Sequence, residues 1–330
     1  MDPVDWSRIY TPAVQADINR MVRILAPVLS REQALCRPDL LGQIDILFSG
    51  WGGPYLNRTF LELAPHLQAV FYGAGSIGYM LSDSLLERQI ILTTANAMNA
   101  IPVAEFSLAH ILLGLKGAWR QAWETKKRRG FLIPQLPVAG AYRSTVGLVS
   151  LSTIGRLVRQ LLKPFDVRVV AFDPTVTFSE ARSLDVEMCS LEEVFSSSDV
   201  VSLHAPQIPE TEGMITGSLL ASMKRGATFI NTARGAIVRE DEMIKVLQGR
   251  PDLTAILDVT DPEPPLPTCA LFDLPNVVIT PHIAGSLDGE CERMGRWMVE
   301  EVQRYLSGKP LLGRVTPERI LTLANSATSA

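Results

Sequence analysis

The middle of the chain alternates short apolar runs with helical patterns, and this alternation constrains the fold more than any other feature of the sequence. Short apolar runs bounded by turn residues are typical of strands in a parallel sheet, and helices between them supply the crossover connections. The sequence therefore predicts an α/β fold built on parallel sheets. The predicted strands are Val146–Leu151, Val167–Phe172, Val200–Leu203, Thr228–Asn231, Thr254–Asp258 and Val277–Thr280.

The first hundred residues carry a weaker version of the same alternation. The predicted strands there are Ile44–Phe48, Ala69–Tyr72 and Ile90–Leu92. A long helix is expected from near Pro102, with this proline in its first turn, to about Trp123. A loop is expected over Phe131–Arg143, a C-terminal helix from about Asp288 to Leu306, and a disordered Ser/Ala/Thr tail at the end.

Length and composition exclude several classes of protein. A chain of 330 residues is long enough for two domains. With 31 basic and 35 acidic residues, the basic run Lys126–Arg129 is interpreted as a solvated helix end, and no nucleic-acid partner is expected. The apolar stretch Phe106–Leu115 is short and contains His110, so it is interpreted as a buried helix and not a membrane span.

Cysteine usage and the N-terminus indicate the compartment. The four cysteines are far apart and form no CxxC pair, which favours a reducing compartment and no structural metal site. The N-terminal sequence MDPVDWSR is acidic and has no apolar core, so it is not expected to be a signal peptide. We therefore expect a cytoplasmic protein without a membrane partner.

The stretch GLVSLSTIGR (147–156) lies where the first central strand passes into a helix. A dinucleotide-binding turn places glycines at three positions, for a tight backbone, for close approach to the pyrophosphate, and for helix–strand packing. Here those positions are Ser150, Ser152 and Gly155. Ser150 would cost about 1–3 kcal/mol if the backbone needs positive φ. The helix N-terminus still offers free N–H groups, so weakened cofactor binding is expected, not its loss.

Asp173 follows the second central strand, 18 residues after Gly155. A carboxylate at this point accepts the ribose hydroxyls of NAD and repels the 2′-phosphate of NADP. Taken alone, the stretch from Gly147 to Asp173 is equally compatible with an ordinary strand–turn–helix junction.

Three further segments each place one chemically active residue at the end of a predicted strand: FINTARGAIV (229–238) carries Arg234, ILDVTDPEPP (256–265) carries Glu263, and VVITPHIAGS (277–286) carries His282. An arginine binds a carboxylate through two parallel hydrogen bonds, and a histidine with a carboxylate partner is a tuned proton carrier. Together they predict a site that holds a 2-oxo acid and exchanges a proton with its oxygen, while a cofactor carries the hydride.

Each of these residues has a simpler interpretation by itself. Arg234 fits a surface charge, Glu263 a loop residue between prolines, and His282 a turn cap. Their joint occurrence at three successive strand ends favours the functional interpretation, because ligands bind at this edge of a parallel sheet.

With these segments, the chain resembles the D-isomer-specific 2-hydroxyacid dehydrogenases over roughly residues 45–315. The resemblance implies that Arg234 binds substrate, that Glu263 assists His282, and that His282 is the acid/base. It implies NAD as the cofactor and no metal. The implied cofactor contacts are Ser152, Thr153, Ile154, Asp173, Pro206, Thr232, Ala233, Arg234, Asp258 (near the nicotinamide amide), His282 and Gly285.

The resemblance also implies two Rossmann-like or flavodoxin-like domains with the active site in the cleft between them, and a homodimer. The outer, substrate domain is expected over 1–105 plus 290–330, and the NAD-binding Rossmann domain over 106–289. The segment YGAGSIG (72–78) matches the outer-domain glycine loop, so backbone N–H groups of Ala74 and Gly75 are implied to bind the substrate carboxylate beside Arg234 and His282. On sequence alone this segment is equally an ordinary glycine-rich turn.

Two functions are compatible with these patterns. The first is an NAD-dependent oxidoreductase that interconverts a small 2-oxo acid, such as glyoxylate or hydroxypyruvate, and its D-2-hydroxy acid. The second is a catalytically weak, NAD(H)-sensing regulatory protein on the same fold, which the two serines of the turn favour. The intact set of Arg234, Glu263 and His282 favours the enzyme, because a sensor has no need of a proton carrier.

Overall fold

The computed structural model of the protein describes residues 1–131, 137–318 and 320. The chain divides into two compact units: unit 1 comprises Met1–Ala100 and Ser286–Ala330, and unit 2 comprises Ile101–Gly285. Both boundaries between the units lie a few residues earlier in the chain than the domain boundaries expected from the sequence.

The elements are numbered in chain order. The strands are β1 (Ile46–Ser49), β2 (Ala69–Tyr72), β3 (Ile91–Thr94), β4 (Tyr142–Val149), β5 (Asp166–Phe172), β6 (Glu187–Met188), β7 (Val200–Leu203), β8 (Thr228–Asn231), β9 (Thr254–Leu257) and β10 (Val277–Ile279). The α-helices are α1 (Pro3–Ile9), α2 (Pro12–Asn19), α3 (Arg31–Leu35), α4 (Pro38–Leu41), α5 (Arg58–Leu63), α6 (Ser84–Glu87), α7 (Asn96–Leu115), α8 (Ala118–Arg128), α9 (Thr153–Leu162), α10 (Phe178–Ser183), α11 (Leu191–Ser197), α12 (Gly217–Ser222), α13 (Glu240–Gly249) and α14 (Cys291–Leu306). Short 3-10 helices occur at Gly78–Met80, Gly235–Ile237, Ala270–Asp273 and Asp288–Glu290.

Unit 2 is built on a parallel sheet whose strand order, in the described residues, is β10-β9-β8-β7-β4-β5-β6. The order reverses at β4, because β5 and β6 lie on one side of this strand and β7 to β10 on the other. In a parallel sheet such a reversal opens a crevice at the carboxyl ends of the strands, where ligands bind. The turn that contains Ser150 and Ser152 leaves β4 at this point.

Both faces of this sheet are covered by apolar side chains. One cluster packs Phe195, Phe229 and Leu257 with residues from the helices α11 to α13. The other packs Val158 and Leu162 of α9 against inward-facing residues of β4, β5, β7, β8 and β9. Strands buried on both faces read as continuous apolar runs, which explains why the sequence revealed them. The α/β prediction with parallel sheets is confirmed.

Unit 1 contains a smaller parallel sheet, with the order β1-β2-β3. One face packs on residues of α5 and α6, and the other on α1, α2 and α14. Within α14, a Cβ added at Gly295 would lie 1.9 Å from the carbonyl oxygen of Ile9, so the absence of a side chain lets α14 approach the end of α1 closely. The C-terminal helix thereby completes a core that the N-terminal hundred residues begin.

The predicted long helix from Pro102 to Trp123 was wrong at both ends. The helix α7 starts at Asn96, six residues before Pro102, which lies inside it. It ends at Leu115, because Gly117 adopts a left-handed conformation (φ 57°) and a new helix, α8, follows. The basic run is the last turn of α8, as expected for a solvated helix end.

Smaller differences concern strand and loop bounds. The strand β4 starts at Tyr142 and therefore takes up the end of the predicted loop, whose residues 132–136 lie outside the described part of the chain. The strand β6 has two residues and was not predicted. The predicted disordered tail also falls on residues 321–330, outside the described residues.

Among the described residues, one helix, α7, is long and apolar enough to cross a membrane. Half of its most apolar 18-residue window is buried within the structure. The core helix of a globular protein meets the same test, so the finding is weak evidence for a membrane span.

Candidate functional site

The turn between β4 and α9 has the geometry of a dinucleotide turn in spite of its serines. Ser150 has φ 77°, the conformation that a glycine adopts freely at this point. A Cβ added at Gly155 would lie 2.2 Å from the carbonyl oxygen of Ser150, so only a glycine fits there. Ser152 is the N-cap of α9, but its hydroxyl makes no capping bond and donates to the carbonyl oxygen of His204 at 2.8 Å.

This turn fits the pyrophosphate of a dinucleotide. The uncapped N-terminus of α9 leaves the first N–H groups of the helix, those of Thr153 and Ile154 among them, without a side-chain acceptor. A helix N-terminus of this kind is an anion-binding site. The close packing that Gly155 permits lets α9 start directly behind β4.

Asp173, at the end of β5, is almost fully buried, and protein donors surround its carboxylate. One oxygen accepts the hydroxyl of Ser150 at 3.0 Å and the backbone N–H of Leu151 at 2.7 Å. The other accepts the backbone N–H and the hydroxyl of Thr175 at 2.9 and 2.7 Å. Burial raises the pKa of Asp173, but these hydrogen bonds outweigh burial and hold its pKa below the usual value. The expected ribose acceptor is therefore ionised and already hydrogen-bonded.

Arg234 follows β8 in a loop that its neighbours shape. The side chain of Asn231 donates to the carbonyl oxygen of Arg234 at 3.0 Å and accepts the N–H of Ala233 at 2.9 Å. Burial lowers the pKa of Arg234, and the carboxylate of Glu263 acts in the opposite direction. Since a guanidinium remains protonated in proteins, Arg234 offers a largely buried positive charge beside Glu263.

Glu263 and His282 form a hydrogen-bonded pair between Oε1 and Nδ1. Both side chains are partly exposed, at 39% and 46%. A carboxylate that accepts from Nδ1 fixes the ring orientation and leaves Nε2 for a second partner. This contact brings together two of the three catalytic residues expected from the sequence.

The loop of Arg234 also touches the loop that leads to Glu263. A Cβ added at Gly235 would lie 2.1 Å from the backbone carbonyl carbon and oxygen of Thr260. No side chain fits between the two loops, so Gly235 allows Arg234 and Glu263 to be held by adjoining backbones.

Asp258 lies at the end of β9 with 2% of its surface exposed. Its carboxylate accepts the hydroxyl of Thr280 at 2.6 Å and the N–H groups of Ile283 and Ala284 at 2.8 and 2.9 Å. Its carbonyl oxygen accepts the N–H of His282 at 3.0 Å. Every one of these contacts is to the loop that carries His282.

The remaining expected contacts lie at strand ends or in unit 1. Pro206 follows β7, Thr232 follows β8 with its hydroxyl 3.1 Å from that of Ser107, and Gly285 is the last residue of unit 2. Ala74 and Gly75 follow β2 in unit 1, whereas Arg234, Glu263 and His282 belong to unit 2.

Sequence reasoning missed two residues of the site, Thr175 and Thr280. Their hydroxyls hold the carboxylates of Asp173 and Asp258. A threonine two residues after an aspartate is a signal for a local side-chain turn, which identifies Thr175 in retrospect. Thr280 has no such local signal, because its partner is 22 residues away. Among the described residues, no group of three His, Cys, Asp or Glu side chains is placed to hold a metal ion.

The chain is similar to several known proteins. The family model for the D-isomer specific 2-hydroxyacid dehydrogenase, NAD binding domain, matches residues 110–284. The D-3-phosphoglycerate dehydrogenase of Mycobacterium bovis is 32% identical over 260 residues, 77% of this chain and 48% of that protein. The enzyme of the same name from Archaeoglobus fulgidus is 28% identical over 267 residues, 79% of this chain and 49% of that protein. The chain thus spans about half the length of these curated relatives.

Solved structures show the same fold. The TT0316 protein from Thermus thermophilus has a TM-score of 0.73 and 29% identity, covering 92% of this chain and 96% of that chain. The D-mandelate dehydrogenase of Rhodotorula graminis has a TM-score of 0.78 and 22% identity, covering 93% and 94%. The family model covers the turn, the ribose-side aspartate and the three strand-end residues of unit 2, and its domain is one that binds NAD. The chain belongs to the D-isomer specific 2-hydroxyacid dehydrogenase family.

Proposed function

We propose that the protein is an NAD(H)-dependent oxidoreductase that interconverts a small 2-oxo acid and its D-2-hydroxy acid. The observation that carries this proposal is the hydrogen-bonded pair of Glu263 and His282 beside the partly buried charge of Arg234. These groups lie at the strand ends of a domain that the NAD-binding family model matches.

The chain's own residues divide the chemistry between them. Arg234 binds the substrate carboxylate and fixes its orientation. His282, oriented through Nδ1 by Glu263, gives a proton from Nε2 to the keto oxygen during reduction and takes it back from the hydroxyl during oxidation. Bound NAD(H) supplies the hydride exchange at the substrate carbon.

The residues proposed to hold the cofactor surround the carboxyl ends of the strands of unit 2. The N-terminus of α9 binds the pyrophosphate, and Asp173 lies on the ribose side. The remaining proposed contacts are Ser152, Pro206, Thr232, Ala233, Arg234, Asp258, His282 and Gly285.

We propose a narrower class of substrates than the known proteins similar to this chain would allow. Glyoxylate and hydroxypyruvate are the proposed 2-oxo acids, with the backbone N–H groups of Ala74 and Gly75 also contributing to carboxylate binding. The relatives named D-3-phosphoglycerate dehydrogenase make D-3-phosphoglycerate a further compound to test. The four cysteines are free, in keeping with a proposed cytoplasmic location, and a homodimer is proposed as the assembly.

A catalytically weak NAD(H)-sensing protein is the second candidate. The observation that favours it is that Ser150 and Ser152 direct their hydroxyls to Asp173 and to the carbonyl oxygen of His204, not to the open end of α9. Such a protein binds NADH and turns over no 2-oxo acid.

One experiment separates the two candidates. Purified protein is titrated with NADH and NADPH by cofactor fluorescence, and NADH oxidation is then followed with glyoxylate, hydroxypyruvate, pyruvate and larger 2-oxo acids, and NAD reduction with D-3-phosphoglycerate. Turnover that His282→Ala abolishes supports the enzyme. NADH binding without turnover of any of these compounds supports the sensor, and absence of NADH binding contradicts both. Size-exclusion chromatography with light scattering tests the homodimer.

A further inference from the structure

The small sheet of unit 1 has two edges, and the described part of the chain covers one of them. Residues 313–315 follow the outer side of β3. There the N–H of Thr94 donates to the carbonyl oxygen of Gly313 at 2.9 Å. The N–H of Val315 donates to the carbonyl oxygen of Leu92 at 2.8 Å. At the outer side of β1, the described residues form neither a further strand nor an isolated bridge, so this edge of the sheet is open.

The open edge presents unpaired backbone groups. The carbonyl oxygens of Asp45 and Ser49 accept from the backbone of β2, at 3.3 and 2.8 Å. Because successive strand residues direct their backbone groups to opposite sides, those of Ile46 and Phe48 point away from β2. Within the described structure these groups have no backbone partner beyond the sheet. The strand has neither a charged residue nor a proline, the features by which edge strands avoid pairing with other chains.

A slot separates this edge from an irregular segment of the chain. It is lined by residues 22–30 on one side and by residues 43–49, which include β1, on the other, and it encloses about 820 Å³. We call this space the β1 slot. From Arg23 to Val28, the described structure contains no backbone hydrogen bond. Free backbone groups therefore lie on both sides of the β1 slot.

The size of the β1 slot fits a single added strand. A strand rises about 3.3 Å per residue, lies about 4.8 Å from its neighbour and about 10 Å from the next layer, so each residue takes up roughly 160 Å³. The slot thus has room for about five residues of extended chain. This length is close to that of β1, which has four residues.

Apolar side chains line the β1 slot in both layers that cover the sheet. Leu41 and Phe60 belong to the layer of α5, and Trp6, Val22 and Tyr305 to the layer of α1, α2 and α14. A strand in the slot would therefore be buried on both faces. Strands of this kind are continuous runs of apolar, often β-branched, residues. The slot thus favours an occupant that is apolar at every position.

We propose that the β1 slot is a docking site for an extended apolar segment of a partner protein, which adds a strand to β1. The backbone of this segment bonds to the free groups of Ile46 and Phe48, and its side chains fill the two apolar layers. A second copy of this chain is a poorer occupant, because its own β1 lies behind its own residues 22–30. The inference concerns unit 1 alone and does not depend on the proposed function.

The test uses a synthetic peptide as the probe. Its core has about five valine and isoleucine residues, and flanking lysines keep it soluble. In the matched control peptide, prolines replace alternate core residues, which keeps the apolar character but removes backbone donors. Calorimetric titration of the whole chain is expected to give a micromolar Kd for the first peptide and at least about tenfold weaker binding of the second. Equal affinities, or no binding of the first peptide, would overturn the proposal.

Two variants at one position test the backbone contact. Ile46→Pro removes an outward N–H from the first residue of an edge strand, where proline is tolerated. Ile46→Ala is the control, because it also loses the isoleucine side chain but keeps the N–H. The Kd of the peptide is expected to be at least about tenfold higher in Ile46→Pro than in Ile46→Ala, since a carbonyl group of the bound peptide loses its donor. The same Kd in both variants contradicts the added strand.

A third variant blocks the β1 slot without changing the backbone, and it decides the question if Ile46→Pro does not fold. Ala26 is half-buried in the wall of the slot, so Ala26→Phe places a large side chain inside it. We expect the peptide to bind at least about tenfold more weakly. Ala122→Phe makes the same change at an exposed position of α8, in unit 2, and is expected to bind like the wild type. Unchanged binding in Ala26→Phe would exclude the slot as the site.

Hydrogen exchange locates the bound peptide, and light scattering tests the other occupant. The peptide is expected to slow exchange at the amides of Ile46 and Phe48 and to leave Leu92 of β3 unchanged. Slowing elsewhere, without an effect at these two amides, overturns the proposal. In the peptide-free protein, dimers that Ile46→Pro dissociates would make a second copy of the chain the occupant and overturn the assignment to a partner. A monomer, or dimers that Ile46→Pro leaves intact, supports that assignment.

Discussion

At the scale of single residues, the turn after β4 accommodates a serine at a glycine position because the side chain has a partner. Ser150 adopts φ 77° and donates to Asp173 at 3.0 Å. A charge-assisted hydrogen bond contributes about 1.5–3 kcal/mol, which is similar to the cost of the backbone conformation. The same bond occupies an acceptor position of the carboxylate that we propose to bind the cofactor ribose.

Replacing Ser150 by glycine is expected to tighten NADH binding about 3- to 10-fold, because it frees an acceptor position of Asp173 for the ribose. Fluorescence titration measures the change. Ser150→Ala is the matched control, since it removes the hydroxyl but keeps a side chain at positive φ. Weaker binding by Ser150→Gly would instead show that the hydroxyl is a cofactor contact.

His282→Ala is expected to leave the Kd of NADH nearly unchanged and to lower kcat about 10²- to 10⁴-fold, the usual contribution of general acid–base catalysis. Glu263→Gln keeps a group that accepts from Nδ1 but removes the charge, so a smaller loss is expected. Steady-state kinetics with the best 2-oxo acid provide the measurement. Retained turnover in His282→Ala would exclude it as the proton carrier.

At the scale of elements, the loops that carry Arg234, Glu263 and His282 are positioned by the strands they follow and by backbone contacts with neighbouring loops. Gly235 lies against the backbone of Thr260, so the loop of Arg234 and the loop of Glu263 adjoin without a side chain between them. A backbone contact as close as this one leaves no room for a side chain.

Gly235→Ala is therefore expected to separate the two loops and to lower kcat/KM by about 10²-fold or more, through misplacement of Arg234. Gly249→Ala, at the end of α13, is the control, because a Cβ added there meets nothing within 4 Å. Kinetics and thermal unfolding of both variants are compared. Unchanged kcat/KM in a folded Gly235→Ala protein would contradict the role of this contact.

Elements were predictable from the sequence where local pattern determines them. The strands β7 and β8 were predicted with their observed bounds, because both are fully buried, short segments rich in apolar residues. The break between α7 and α8 was missed, since it depends on the left-handed conformation of one residue, Gly117.

The residue types of the site could also be predicted at strand ends, whereas the partners of Asp258 could not, because hydrogen bonds across 22–26 residues leave no local pattern.

At the scale of the whole molecule, a buried histidine that has no part in the proposed reaction is expected to make the free energy of unfolding depend on pH in the acidic range. His204 follows β7 and is 3% exposed, and within the described structure neither ring nitrogen has a hydrogen-bond partner. Burial lowers the pKa of His204 to about 3. The folded protein thus keeps this ring neutral at pH values where an unfolded chain, with a histidine pKa of about 6.5, binds a proton.

The free energy of unfolding is expected to fall as pH drops from about 6.5 towards 3, by up to about 1.4 kcal/mol per pH unit from this residue, because the unfolded state binds more protons in that interval. His204→Leu is expected to flatten the slope and to be neutral or stabilising at pH 7, since no hydrogen bond is lost. Denaturant unfolding between pH 4 and 7 tests this, with exposed His66→Leu as the control. An unchanged slope in His204→Leu would contradict the assignment.

The division of the chain into units has a consequence for biosynthesis. Unit 1 is formed by two segments of the chain, one before unit 2 in the sequence and one after it. The end of the first segment lies next to the start of the second, since the side chain of Asn99 accepts the N–H of Ser286 at 3.0 Å. As the ribosome extends the chain, the small sheet emerges before unit 2, and α14, which packs on one of its faces, emerges after it. All of unit 2 is made in between, which takes roughly 10–40 s at typical elongation rates. For that interval the nascent sheet lacks one of the helices that cover this apolar face, so the core of unit 1 stays incomplete until all of unit 2 has been made.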